Sequence, residues 1–187
     1  MKTIKILAVL FLAGALNVSA QKSEINIGKS VVEWTGKKIG GAHKGEVKIK
    51  SAYLDLKNGE IVGGTVLLDM TTISNTDLED KSYKQKLVGH LKSDDFFAVE
   101  KYPTASFEVI KSTQFNNGKA SVSGKLTIKG KTEDITFDVS KNDLEYSAQV
   151  EVDRSKFDVR YGSDSFFDNL GDKAIDDIFI LDIKLTL

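Results

Sequence analysis

The chain reads as a mainly β protein, a single antiparallel meander or barrel of about eight strands with one inserted α-helix at about residues 77–91. Three observations predict this class. After residue 30, apolar and polar residues alternate with period two over most of the sequence, the pattern of half-buried strands. Tight-turn signals built on Asn, Asp and Gly separate the alternating runs. One segment alone switches to helical spacing.

The alternation locates the elements in order. Val47 and Ile49, then Ala52, Leu54 and Leu56, alternate with charged and polar neighbours up to the turn Lys57-Asn58-Gly59-Glu60. Val62, Gly64, Val66, Leu68 and Met70 share a face of the next strand. From Asp77 to Leu91 the apolar residues fall at Tyr83, Leu87 and Leu91, with Leu78 and Val88 nearby, which is the period of a helix. Thr76 or Asp77 would cap it, and Asp77, Glu79 and Asp80 suit its positive end. Alternation resumes after Pro103 with Ala105, Phe107 and Val109, then Asn116-Asn117-Gly118 as a hairpin turn. Val122, Gly124, Leu126 and Ile128 follow, then Lys129-Gly130-Lys131, Ile135, Phe137 and Val139, the turn Asn142-Asp143, and Tyr146, Ala148, Val150 and Val152. Tyr161 to Lys173 reads as a long loop with a helical turn around Phe166 to Leu170. The last strand places Phe179, Leu181, Ile183, Leu185 and Leu187 on one face and Ile178 and Ile180 on the other. Gly41 to Gly45 reads as a turn or the start of a strand.

The first twenty residues are a separate unit. A basic start with Lys2 and Lys5, an apolar run from Ile6 to Leu16, and small residues at Val18-Ser19-Ala20 form a secretory leader cut between Ala20 and Gln21. The run is shorter than the ~20 apolar residues a membrane span needs. The expected product is one domain, residues 21–187, in the periplasm or secreted, with no membrane span. Losing Lys2 and Lys5 moves the net charge from −1 to −3. That mild charge, with no basic stripe interleaved with aromatics, argues against nucleic acid as a partner. With no cysteine in the chain, the fold must stand on its core, which a chain of this length can supply. Thiol chemistry and cysteine-containing metal sites are excluded.

Residues that could carry chemistry are few. His43 and His90 are the only histidines, and none of the usual metal, nucleophile or phosphate-loop motifs is present. His90 with Asp94 or Asp95 could form a base and its orienting acid; equally, His90 suits a helix C-terminus. Asp94-Asp95 suits a helix stop, and Phe96-Phe97 a plug of core packing. Tyr102 before Pro103 is held extended, and Pro103 suits the start of a strand. A barrel of eight strands is either filled by its own side chains or holds one small ligand. The inward candidates mix small residues (Gly64, Ala105, Gly124, Ala148) with large ones (Phe107, Phe137, Phe157, Phe179). That mixture is compatible with a long apolar cavity and equally with a packed interior.

The run His90-Leu91-Lys92-Ser93-Asp94-Asp95-Phe96-Phe97, followed by Lys101-Tyr102-Pro103-Thr104-Ala105-Ser106-Phe107, resembles the signature of the YceI-like family. Trp34-Thr35-Gly36, Gly41-Ala42-His43-Lys44-Gly45, Asp69-Met70-Thr71-Thr72-Ile73, Gly124 to Gly130, Val152-Asp153-Arg154-Ser155-Lys156-Phe157 and Ile178 to Leu187 resemble it in the same order. Asp158 departs from the pattern, which often has glycine there. The resemblance implies an extended lipocalin-like antiparallel barrel that binds a polyisoprenoid or another long amphiphilic lipid, such as a quinone-like one, without metal, cofactor or catalysis. Phe96, Phe97, Phe107, Leu126, Phe137, Phe157 and Phe179 are the expected lining. His90, Arg154 and Lys92 are the expected polar partners at the mouth. Two alternatives stay open: a filled barrel serving as a stress-response or interaction protein, and an enzyme acting on such a lipid through His90 and Asp94 or Asp95. An exposed edge strand would offer a route to a homodimer.

Overall fold

The computed structural model describes residues 19–171 and 174–187. The leader expected over residues 1–20 therefore lies almost wholly outside the described residues, as do positions 172 and 173 of the long loop. Ten strands form one antiparallel sheet: β1 (Gln21–Glu24), β2 (Val31–Lys38), β3 (Gly41–Glu46), β4 (Lys48–Lys57), β5 (Glu60–Asp69), β6 (Thr104–Ser112), β7 (Lys119–Ile128), β8 (Lys131–Asn142), β9 (Glu145–Asp153) and β10 (Ile175–Thr186). The order across the sheet is β1-β4-β5-β6-β7-β8-β9-β10-β2-β3. Among the described residues one α-helix, α1 (Lys81–Lys92), is inserted between β5 and β6. Among the described residues, no helix is long and apolar enough to cross a membrane.

The sheet curls into a half-barrel, and the chain itself draws its two sides together. β3 and β4 stand far apart in the sheet order but are separated in sequence by Val47 alone. The Val47 amide donates to the Val32 carbonyl of β2 (3.1 Å). On the other side, Ile25 just beyond β1 donates to Ala52 of β4 (3.1 Å), and Asn26 donates to Thr186 of β10 (2.7 Å). The observed strands thus number ten rather than about eight, and β1, β2 and β3 are the ones the alternation did not single out. β1 has four residues, and β3 reads Gly-Ala-His-Lys-Gly-Glu, which carries no alternating large apolar residue to reveal it.

The tight turns form where Asn, Asp and Gly supply left-handed backbone. Asn58 and Gly59, Asn117 and Gly118, Lys129 and Gly130, and Asp143 all have positive φ, as two-residue hairpins require. Parity follows the sequence except in β5. A register shift between Asp55 and Leu56 of β4 leaves Ile61 buried and Val62 exposed. A bulge inverts which residues point inward, so Val62 does not belong to the inner face.

The helix begins later than expected. Asp80, not Thr76 or Asp77, is the cap, accepting from the amides of Ser82 (2.7 Å) and Tyr83 (3.0 Å). Asp77 is committed elsewhere. Its carboxylate accepts from the Lys44 amide (2.8 Å) and pairs with His43 Nδ1 (2.9 Å). Ser74 and Thr76 donate to the carbonyls of Glu46 and Lys44 (2.9 Å each). Residues 74–76 therefore cover the outer edge of β3, which would otherwise be open to another strand. Buried Asn75 completes the clasp, donating to the Lys44 carbonyl and accepting from the Leu78 amide.

Candidate functional site

The inner face of the curl encloses a cavity of about 180 Å³. Alternation delivers its wall strand by strand: Val32 and Trp34 from β2, Val66 and Leu68 from β5, Ala105, Phe107 and Val109 from β6, Leu126 and Ile128 from β7, Ile135 and Phe137 from β8, Ala148 and Val150 from β9, and Phe179, Leu181 and Ile183 from β10. Phe96 and Phe97 close one end, with Phe97 edge-on to Phe179 at 6.5 Å and to Phe96 at 4.9 Å. Among the described residues, few polar groups border this space: Ser106, Ser147, Arg154, Asp176 and the Tyr146 ring. Burial, with Glu60 adding to it, pushes the Tyr146 phenol above its ordinary pKa, so it presents a neutral ring.

The aromatic plug is positioned by how α1 ends. The Phe97 amide donates back to the Leu91 carbonyl (3.2 Å), and the Val99 amide to that of Lys92 (3.0 Å). Ala98 takes a left-handed φ of 48°. These bonds turn the chain at the helix C-terminus, so that Phe96 and Phe97 drop into the mouth of the curl while Asp94 and Asp95 stay outside.

Two strand ends at the same end of the sheet share one local device. After β5, Asp69 accepts from the Thr71 amide (3.0 Å) and hydroxyl (2.6 Å). After β9, Asp153 accepts from the Ser155 amide (3.0 Å) and hydroxyl (2.6 Å). Each opens a short 3₁₀ turn, Met70–Thr72 and Arg154–Phe157, that carries the next residues across the mouth. Trp34 is set by a glycine. It lies across Gly45, its partner on β3, where a Cβ would come within 2.6 Å of the indole. Its Nε1 donates to the Ser74 carbonyl (3.1 Å).

Of the expected site residues, Phe96, Phe97, Phe107, Leu126, Phe137, Phe179 and Arg154 border the cavity. Phe157 is buried but does not, because the 3₁₀ turn places it beyond the end of β9. His90 also stands behind the wall: its ring meets Phe96 at 5.8 Å and Tyr161 at 4.2 Å. It forms no bond to Asp94, which pairs with Lys101 (2.7 Å). Among the described residues, Nε2 of His90 is buried without a hydrogen-bond partner. Lys92 donates to the Thr71 carbonyl (2.7 Å).

Arg154 is fully buried and serves the chain. Nε donates to the Asp176 carbonyl (3.0 Å), Nη1 to those of Val159 (2.9 Å) and Tyr161 (2.8 Å), and Nη2 to that of Ile175 (2.8 Å). Asp177 Oδ1 lies 3.2 Å from Nη2, at ion-pair distance but out of line for a hydrogen bond. Desolvation lowers the guanidinium pKa against the pull of Asp177, Asp176 and Asp153. These bonds tie the 158–171 loop to the start of β10. Within that loop Asp158 takes φ 59° and ψ 31°. This is the left-handed conformation glycine would supply freely and Asp tolerates better than most residues. The loop turns near Ser163, whose carbonyl accepts from the amides of Phe166 and Phe167 (3.1 Å each), upstream of the expected turn at Phe166 to Leu170. Small Gly64 and Gly124 do not open the cavity. A Cβ at Gly124 would meet the Glu108 carbonyl at 2.2 Å, and one at Gly64 the Tyr53 carbonyl at 2.7 Å.

Sequence reasoning missed Trp34 and Val32 as wall residues. The signal was present in their i, i+2 spacing, but β2 was not singled out as a strand.

A curled antiparallel sheet around an apolar cavity, plugged at one end by aromatics, places the chain among the small β-proteins with an internal pocket. The family model of the YceI-like domain matches residues 17–187, and the chain belongs to that family. It is similar to Burkholderia cenocepacia BcnA, with a TM-score of 0.69 and 25% identity over 87% of this chain and 99% of that one. A polyisoprenoid binding domain from Saccharophagus degradans implicated in plant cell wall breakdown has a TM-score of 0.58 and 12% identity, covering 87% and 95%. The YCEI protein of Campylobacter jejuni has a TM-score of 0.53 and 20% identity, covering 100% and 91%. A search of the curated proteins finds no match.

Proposed function

We propose that the protein binds a polyisoprenoid or similar long amphiphilic lipid inside the curled sheet, and acts as a carrier or sequestering protein in the periplasm rather than as an enzyme. The observation that carries this reading is the apolar cavity between the ten strands. A space of about 180 Å³ is more than ten times what one water needs by the same measure. Its wall offers few of the polar partners that would hold water there. An apolar chain gains ~0.8 kcal/mol per buried methylene, so binding needs no catalytic group. Membership of the YceI-like family supports the reading, as does the polyisoprenoid binding named for the Saccharophagus degradans neighbour. The three-part leader of residues 1–20 supports export. The test is organic extraction of protein purified from its native envelope, followed by mass spectrometry. One lipid per chain is the expected result. A clean extract, repeated after incubation with membrane lipids, would overturn the reading.

A further inference from the structure

The ladder is not continuous around the curl. β8 and β9 share three rungs beside their hairpin turn: Ser140 with Ser147, Lys141 with Tyr146 and Asn142 with Glu145. Continued at that register, the strands would add six more, from Val139 opposite Ala148 to Asp134 opposite Asp153. Among the described residues none of the six forms, although over the same stretch β8 is paired with β7 and β9 with β10. Local sequence does not forbid them, since residues 134–139 and 148–153 contain neither Gly nor Pro. Charge opposes them. Closure would set Asp134 opposite Asp153, and Glu151 diagonal to Asp134 and Asp138, and like charges across a ladder are destabilising. The result is a slot in the hydrogen-bonded wall. One end is the hairpin turn, and the other is the tie from Lys129 Nζ to the Asp158 carbonyl (2.9 Å). Its inner lips are Ile135 and Phe137 on one side and Ala148 and Val150 on the other, and all four border the cavity.

Both ends of the curl, by contrast, are bonded shut. At the aromatic end the Phe97 amide holds the Leu91 carbonyl (3.2 Å), and Arg154 gathers four carbonyls beneath the adjoining loop. At the opposite end Phe115 packs on Tyr146 (6.1 Å), its amide donates to the Glu60 carboxylate (2.7 Å), and Lys141 Nζ donates to the Gly59 carbonyl (2.9 Å). A chain entering at either end has to break such bonds, whereas between β8 and β9 the rungs are already unmade. Resting on the lipid-binding reading, we propose that the β8–β9 slot is the portal through which the apolar chain of the ligand enters and leaves the cavity sideways. Six residues of strand span roughly 20 Å, so a long chain can be laid in along its length instead of threaded end-on. The apolar inner lips give it contacts on the way, and the charged residues of the outer face keep the slot from zipping behind it.

The test uses the full mature protein, which has no cysteine of its own. Thr136→Cys with Glu151→Cys, both at exposed positions, puts one thiol on each side of the slot, and the shortest bis-maleimide that couples them after folding bridges its middle. Thr71→Cys with Lys92→Cys, at residues already in contact, is bridged in the same way at the aromatic end. The probe is cis-parinaric acid, read by energy transfer from Trp34, the single tryptophan, which lies in the cavity wall. The slot bridge should slow uptake and release alike by at least about tenfold. It should leave the equilibrium affinity within about twofold of the parent, because a portal sets the barrier and not the end states. The unbridged variant, and the protein bridged at the aromatic end, should keep the parent rates. Rates that the slot bridge leaves unmoved would overturn the portal, while energy transfer at equilibrium upholds the cavity. Absence of energy transfer in the parent protein would overturn the lipid-binding reading itself, and this inference with it.

Discussion

A buried guanidinium beneath a loop can serve a ligand or the loop, and the four carbonyls gathered by Arg154 show that it serves the loop. Each buried polar group left unpaired costs ~1–3 kcal/mol. Arg154→Met is therefore expected to lower the unfolding free energy by at least ~3 kcal/mol in urea titration, much like breaking a buried ion pair. If the variant kept its stability and lost only lipid affinity, Arg154 would be a head-group ligand after all. The sequence could not decide between these roles. Backbone carbonyls are present at every residue, so a side chain that binds them leaves no partner motif to read. Asp158 is the opposite case. Its departure from glycine was visible at once, and the left-handed φ of 59°, together with its carboxylate on Arg160 (2.6 Å), explains how Asp fills the position. The inward aromatics were legible because period two fixes a face. Phe157 was not, because it lies past the end of β9 in a 3₁₀ turn where that period no longer applies.

Among the elements, long strands and turns were readable and short or committed segments were not. Even the parity slip in β4, from Val47 and Ile49 to Ala52 and Leu54, was written in the sequence, and the structure places a bulge there between Ile49 and Ser51. The slip in β5 was hidden because Ile61 and Val62 are both apolar and either could point inward. The start of α1 was misplaced because Asp77 and Asp80 are equally good caps on paper, and only the tertiary contact with β3 separates them. That contact is sensitive to acid. Burial opposes the charged form of Asp77, but hydrogen bonds from the Lys44 amide, His43 and Asn75 outweigh it and hold the carboxyl at about 2, below its ordinary 3.8. The folded value is the depressed one. The stabilisation is therefore complete above the ordinary carboxylate pKa and is lost as pH falls from about 4 toward about 2. Hydrogen exchange at the Lys44 and Thr76 amides should accelerate relative to the rest of β3 and β4 across that window. In Asp77→Asn it should be fast already at neutral pH. A variant whose exchange matches the parent at neutral pH would remove Asp77 from the clasp.

At the scale of the molecule, whether the interior was hollow or packed could not be read from the pattern, because the volume left over depends on strand tilt and curl rather than on residue type. With the cavity located, Ala148 is the position that probes it, since it is small and borders the space. Ala148→Leu should fill part of the cavity, cut lipid binding severalfold, and leave thermal stability equal or raised. An overpacked core would instead lose ~1–3 kcal/mol, so a fall of that size in stability would argue that the space is not open. Gly124 cannot serve this purpose, because the Glu108 carbonyl blocks any side chain there. The sheet order has one further consequence. β10 is hydrogen-bonded to β2, so strands near opposite ends of the chain are neighbours in the finished sheet. In the folded sheet β2 lies between β3 and β10, so one of its two edges is met only by the last strand of the chain. Contacts so distant in sequence form slowly. The sheet therefore closes around its cavity only once the last strand has been made.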